Sequence, residues 1–368
     1  MSTRNVRRRI DQFLQNPSCE ANMLSVAMDV AMRDVAEVEG DPSREAQSPY
    51  ALRRGALFEN ALFDEDAEPL RSALARANVI PSEQAVVIDL RLTRNQGPSM
   101  KNLDMARRAF TQWIDGERAR PEKTHIFLAP AIDAPTRDPR HALMHDALTL
   151  TARETVGQGC AIGEGIVAPD IVVAHPMGDD RWELEIGEVK VYPDRGGHTD
   201  TSDLAATRSQ AGLYLFALRT ALARHPTITV RRTGFLVLSW AGTNRPSVRS
   251  GEDLEFRARA AERGIAQLRE ALASIAAPPT EPKKRLSVIS QANTAYREAC
   301  ISFCARATRC HREACEQGSP SALGDAAASA LRDVALDQAV ELIRGQTPSN
   351  EREAAVSRRF GQLRALVS

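Results

Sequence analysis

The sequence predicts an α/β protein, a sheet core flanked by helices, with an all-helical C-terminal segment. Three observations carry this. Short apolar runs of strand length, 85–92 (AVVIDLRL), 125–129 (HIFLA) and 234–240 (GFLVLSW), alternate with stretches of helical period. The stretch 169–192 (PDIVVAHPMGDDRWELEIGEVKVY) reads as a β-hairpin. After the linker 276–285 (AAPPTEPKKR) the pattern is helical to the end.

Composition bounds the answer. The chain has 368 residues, 43% hydrophobic and 26% charged, which suits a packed core and argues against wholesale disorder. Lys+Arg and Asp+Glu balance at 48 each, so a nucleic-acid partner would need a local basic patch. Candidate patches are Arg7–Arg9, Arg53-Arg54, Arg231-Arg232 and Lys283–Arg285; the plainer alternative for each is a solvated face. The N-terminus, MSTRNVRRRIDQFL, lacks the apolar stretch of a signal peptide, and no apolar run approaches a membrane span. A cytoplasmic protein with no membrane contact is expected, and its six cysteines need an explanation other than disulfides.

In chain order, residues 10–35 read as helical, with Cys19 just after Asn16-Pro17-Ser18. A polar loop at 40–49 precedes a helix from Tyr50 to about Ala77, in which Leu52, Leu57, Phe58, Leu62 and Phe63 mark one buried face. Gly55 within it costs helix stability and would let another backbone or a phosphate approach; Glu59 follows, by default an ordinary exposed residue. The 85–92 and 125–129 strands flank a helix at 105–113, and 141–155 reads as another. Cys160 sits in a glycine-interrupted strand and reads as a core cysteine. A glycine-rich loop after Tyr192 leads to a helix from about Asp203 to Ala223. On it Gln210 and Tyr214, four apart, share a face; Tyr214 as core and Gln210 as solvated is the alternative. A strand at 229–240 and a helix at 258–275 close this region. Helices at 322–344 and 349–367 read as a cap.

The hairpin carries the chemistry. Ile171–Ala174 form a short buried strand, His175–Asp180 a turn, and Arg181–Tyr192 the return strand. Asp170 opens the first strand, and Glu188 and Lys190, two apart, leave the same face of the second. Two carboxylates and a lysine beside an apolar sheet are costly unless the charge is used, and a divalent cation would use it. The alternative is a salt-bridge ladder on a strand.

The cysteines form a second constellation. Cys300, Cys304, Cys310 and Cys315 fall within 16 residues of a chain with only two others. Helical spacing sets Cys300, Cys304 and Cys315 on one stripe, as a core seam would, while Cys310 falls off it. Metal or cluster ligation explains all four better.

Taken together, these features resemble the RecB-like branch of the PD-(D/E)xK nuclease superfamily, particularly members with an iron–sulfur staple such as CRISPR-associated RecB-like nucleases and the AddB nuclease domain. The pattern of that branch is a cysteine, GxxxH, PD, ExK, QxxxY and three clustered cysteines. This sequence has Cys19, Gly55–Glu59, Pro169-Asp170, Glu188–Lys190, Gln210–Tyr214, then Cys300, Cys304 and Cys310, over roughly 19–315. It departs in having Glu59 where the family has His, CxxxC for the first cysteine pair, and a long interval between Glu59 and Asp170.

The resemblance implies a restriction-endonuclease-like mixed β-sheet core over 1–275, with an insertion at about 80–157, and a helical segment 286–368 packed on that core. It implies a Mg²⁺- or Mn²⁺-dependent deoxyribonuclease acting on ends or single strands. Asp170, Glu188, the Val189 carbonyl and Glu59 would ligate the metal. Lys190 would position the attacking water, and Gln210 and Tyr214 would orient the substrate strand. Cys19, Cys300, Cys304 and Cys310 would hold a structural 4Fe-4S cluster remote from the chemistry, with Zn²⁺ as the alternative occupant and Cys315 as a substitute for Cys300. DNA is the expected partner. With no P-loop in the chain, a helicase or another repair or defence subunit would supply any motor. Two rival readings are a non-catalytic DNA-binding or assembly subunit that keeps the fold, and a cysteine-based redox or zinc protein.

Overall fold

The computed structural model describes residues 12–28, 30–40, 49–81, 84–91, 100–133, 166–273, 279 and 281–367. The elements in chain order are α1 (Glu20–Met28), α2 (Met32–Val38), α3 (Pro49–Leu62), α4 (Asp64–Arg76), β1 (Val86–Asp89), α5 (Met100–Ile114), β2 (His125–Leu128), β3 (Ile132–Asp133), β4 (Ile166–Val167), β5 (Ile171–Pro176) and β6 (Trp182–Asp194). Then come α6 (Thr201–Ala221), β7 (Ile228–Trp240), β8 (Pro246–Asp253), α7 (Glu255–Ala273), α8 (Pro282–Gln291), α9 (Cys300–Phe303), α10 (Ala307–Glu316), α11 (Asp325–Leu331), α12 (Leu336–Arg344) and α13 (Glu351–Val367). The described residues fall into two compact units, one from 49–273 and one from 12–40 with 279–367. None of the described helices is long and apolar enough to cross a membrane.

The first unit is a mixed α/β structure built on a six-stranded sheet in the order β1-β2-β5-β6-β7-β8. β1 and β2 run parallel, β2, β5 and β6 form an antiparallel series, β7 runs parallel to β6, and β8 returns antiparallel at the edge. Central strands lose both faces to the interior, so β5 and the middle of β7 are continuous apolar runs. Ile171–Ala174 and Phe235–Leu238 are accordingly all buried. On one face Ile171, Val173, Val189, Phe235 and Val237 pack against Phe58 and Leu62 of α3 and Leu70 and Leu74 of α4. On the other face Leu236 and Leu238 meet Leu204 of α6. Two glycines permit this closeness. A Cβ on Gly187 would lie 2.2 Å from the Phe235 ring, and one on Gly212 of α6 would lie 2.4 Å from Cβ of Arg257 in α7.

The structure departs from the sequence reading at several points. The helix expected over 10–35 is broken into a turn of helix at 12–15, α1 and α2; Pro17 accounts for the first break, because it cannot continue the hydrogen-bond ladder. The 50–77 helix is two, α3 and α4, with Glu65, Asp66 and Ala67 at positive φ near the junction. Among the described residues nothing lies within 4 Å of a Cβ placed on Gly55, so no described backbone uses the space it offers. The span 80–157, expected as an insertion, supplies β1 and β2 to the central sheet. The 276–285 linker already begins α8 at Pro282. The helix expected at 141–155 and Cys160 lie outside the described residues.

In the second unit, residues 12–40 fold with the C-terminal segment instead of with the sheet. Buried Asn16 donates to the Ala295 carbonyl at 2.6 Å, and the Ala21 amide to Asn293 O at 3.1 Å. Glu39 and Arg306, both buried, pair at 2.9 Å. A separate apolar cluster of Val334, Ala339, Leu342 and Val356 joins α12 to α13.

Candidate active site

The period of a strand decides which side chains can meet. In β6, Trp182, Leu184, Ile186, Glu188 and Lys190 alternate with Glu183, Glu185, Gly187 and Val189. Val189 faces the α3/α4 side, so Glu188 and Lys190 project to the side covered by α6. Ile171 pairs with Gly187, so Asp170, one residue earlier, arrives beside Glu188. The Ala129 amide holds that end of β5 by donating to the Asp170 carbonyl at 2.8 Å.

Asp170, Glu188 and Lys190 therefore converge. The Val189 amide donates to Asp170 Oδ2 at 3.0 Å, fixing the carboxylate against β6. Lys190 Nζ donates to Glu188 Oε1 and, at 3.2 Å, to the Val189 carbonyl. It also stands 3.8 Å from Asp170 Oδ2. One ammonium is thus faced by two carboxylate oxygens and a main-chain carbonyl. Glu188 is fully buried, while Asp170 and Lys190 keep 29% and 22% of their side chains exposed, so the group opens to solvent on one side. Two carboxylates against one ammonium leave a net negative charge, the condition a hard cation requires.

The helix expectation also places two more residues. Gln210 Nε2 donates to Glu188 Oε1 and lies 3.1 Å from the Tyr214 hydroxyl, so the i, i+4 pair on α6 meets the acid from above. Tyr214 is fully buried, with its ring among the core residues of α6 and its hydroxyl at the site. Glu59 is exposed on α3, on the helix layer of the opposite sheet face. Among the described residues no three His, Cys, Asp or Glu side chains stand in a geometry ready to hold a metal ion, so the two acids and the Val189 carbonyl are what this site offers.

The four cysteines assigned to a second centre lie in the second unit. Cys19, Cys300 and Cys310 are buried, Cys304 is partly buried, and Cys315 is exposed with its sulfur 3.9 Å from His311 Nε2. Burial pushes the Cys304 thiol up to about 12, and Cys300, Cys310 and Cys19 add to this by disfavouring a further negative charge. Cys310 is pushed up to about 11 by burial, with Arg306 pulling in the opposite direction. Cys300 is raised as well, chiefly by burial, despite the Asn16 amide that donates to its sulfur at 3.3 Å. Each of the three C-terminal thiols feels Cys19, so both ends of the chain contribute to one neighbourhood. The sulfurs do not already enclose a common point. Cys315 differs from them in being exposed.

Sequence reading passed over Asn16 and Arg306, which act on these thiols, and Glu39, which pairs with Arg306. The only local signal was Asn16, three residues before Cys19. Of the basic clusters, Arg231 is committed to Glu183 at 2.6 Å and Glu185 at 2.8 Å. Arg285 donates to the carbonyls of Pro279 and Met28. Neither is a free phosphate-binding group.

Compared with family models, curated proteins and solved structures, the chain matches none.

Proposed function

We propose that this chain is a divalent-metal-dependent deoxyribonuclease of restriction-endonuclease-like fold, hydrolysing phosphodiester bonds at DNA ends or in single strands. The observation that carries the reading is the ring of oxygens around Lys190 Nζ: Glu188 Oε1, Val189 O at 3.2 Å and Asp170 Oδ2 at 3.8 Å. A fold does not specify an activity; the groups at the site do.

Each residue has a task that follows from its contacts. Asp170 and Glu188, with the Val189 carbonyl, are hard oxygen donors suited to Mg²⁺ or Mn²⁺. A divalent ion bound there supplies Lewis-acid charge neutralisation and a more acidic water. Gln210 fixes the Glu188 carboxylate, so the acid keeps its orientation without rearrangement. Lys190 carries three N–H donors on a flexible stem, able to turn from the carboxylates toward a phosphoryl oxygen or the attacking water, where negative charge develops. The partner is DNA, with a helicase or another repair or defence subunit supplying any movement along it, in the cytoplasm.

For the second unit the reading is a structural 4Fe-4S centre on Cys19, Cys300, Cys304 and Cys310, with Zn²⁺ as the other occupant the donors suit. Three buried thiols and a partly buried one, from two distant segments, support it. Closing the sulfurs on a shared metal would cross-link residue 19 to residues 300–310.

The test is cleavage of single- and double-stranded DNA and of RNA with Mg²⁺, Mn²⁺ or Ca²⁺, by the intact protein and by Asp170→Ala, Glu188→Ala and Lys190→Ala. Metal-dependent DNA cleavage lost in all three variants is the expected outcome. DNA binding without cleavage under every metal would shift the reading to the non-catalytic subunit.

A further inference from the structure

Arg306 is nearly fully buried, which a guanidinium tolerates only when its donors are used. Its Nε donates to Glu39 Oε2 at 3.0 Å, and its Nη2 stands 2.9 Å from Glu39 Oε1 and 3.4 Å from the Ser290 carbonyl. Nη1 is buried and has no hydrogen-bond partner among the described residues. Glu39 needs no help from Arg306 to be satisfied. It also receives Arg309 Nη1 at 2.9 Å and the Ser290 hydroxyl at 2.6 Å. A neutral side chain at 306 would leave that carboxylate paired, so the ion pair alone does not account for a buried cation here.

Its position does. Arg306 lies two residues after Cys304, and the Cys310 amide donates to the Arg306 carbonyl at 2.9 Å, which sets the two side chains one helical turn apart on one face. Four thiolates bound to zinc or to an iron–sulfur cluster leave excess negative charge, and inside a protein such charge needs a nearby cation and N–H donors to sulfur. We propose that Arg306 is the counter-charge of the cysteine centre and that its free Nη1–H is the hydrogen-bond donor to one of the bound sulfurs. This rests on reading the four cysteines as a metal or cluster centre. Arg306 is a positioning residue, held in place by Glu39 and not itself a ligand.

The experiment uses the full-length chain, reconstituted without oxygen with ferrous iron and sulfide, or separately with zinc. Metal per chain, the rate of metal loss to a chelator and, for the iron form, the reduction potential are compared among wild type, Arg306→Met, Arg306→Lys and Arg309→Met. Arg309→Met is the control, because it loosens Glu39 while keeping the buried charge. Arg306→Met is expected to lose metal about ten- to a hundredfold faster, the usual scale for groups that support ligands. Its reduction potential should fall, while Arg306→Lys, which keeps the charge, stays near the wild-type potential. Should Arg306→Met fail to fold, the comparison of Arg306→Lys with Arg309→Met stands in: metal loss faster in the lysine variant alone supports the missing Nη1 donor. Equal loss rates and potentials across all variants overturn the proposal while leaving the centre intact. A wild-type chain that takes up neither metal overturns both.

Discussion

Lys190→Met removes the ammonium from between the two acids while keeping most of the stem. Glu188 is fully buried and takes a hydrogen bond from that ammonium, so the variant leaves a buried carboxylate without its cation. Breaking a buried pair from one side costs about 3–5 kcal/mol. Here Gln210 still donates to Glu188 and Lys190 is 22% exposed, so the cost falls at or just below the bottom of that scale, about 2–3 kcal/mol. For a unit of this size that corresponds to a fall in Tm of roughly 5–10 °C in metal-free buffer. Glu188→Gln combined with Lys190→Met removes both charges and should recover most of the loss, since replacing a pair is far less costly than orphaning one member. Thermal unfolding of the two single variants and the double variant closes the cycle. Added Mn²⁺ should raise the Tm of Lys190→Met more than that of wild type, because a bound cation takes over the role of the ammonium. A metal-free Lys190→Met melting within about 1 °C of wild type, a shift too small for a broken buried pair, would show that the ammonium does not hold these acids.

Other outcomes follow from the same packing. Gly187→Ala drives a methyl into the Phe235 ring and should cost about 1–3 kcal/mol in a denaturant titration, with Phe235→Leu relieving most of it; additive losses would contradict the close contact. His125, buried beside Trp113 and Trp182, has its pKa held below the ordinary value because burial penalises the imidazolium. The unfolded chain takes up that proton near pH ~6.5, so stability is full above this value and is lost as pH falls toward the folded pKa. His125→Gln should flatten that acid limb of the unfolding midpoint, and an unchanged limb would place the titration elsewhere. The metal-free thiols work in the opposite direction. Unfolded cysteines ionise near pH ~8.5 while Cys304 and Cys310 stay protonated to about 12 and 11. Stability of the metal-free protein should therefore decline from that pH upward, less steeply in Cys304→Ser.

What could be read from the sequence tracks how local each feature is. Glu188 and Lys190 share a face by strand period alone, and Gln210 and Tyr214 by helix period alone, so both pairs were legible. That the two pairs meet at Glu188 depends on α6 lying over β6 and β7, which no local pattern encodes. The edge strand β8, PSVRSGED, was not legible: one of its faces needs no apolar cover, so it lacks the alternation that marks a half-buried strand. The 80–157 interval looked like an insertion because it is long, yet β1 and β2 within it complete the sheet. The pairing of residues 12–40 with the C-terminal segment rests on Asn16, Glu20 and Glu39 contacts more than 250 residues apart, which composition and periodicity do not register.

The account turns on whether a cation can take the place that Lys190 now fills among Asp170, Glu188 and the Val189 carbonyl. Electron paramagnetic resonance of Mn²⁺ added to the whole protein measures this without reference to activity. One bound Mn²⁺ per chain, absent in Glu188→Gln and in Asp170→Asn, is the expected result. Mn²⁺ bound equally by wild type and both variants, or by none of them, would contradict the account.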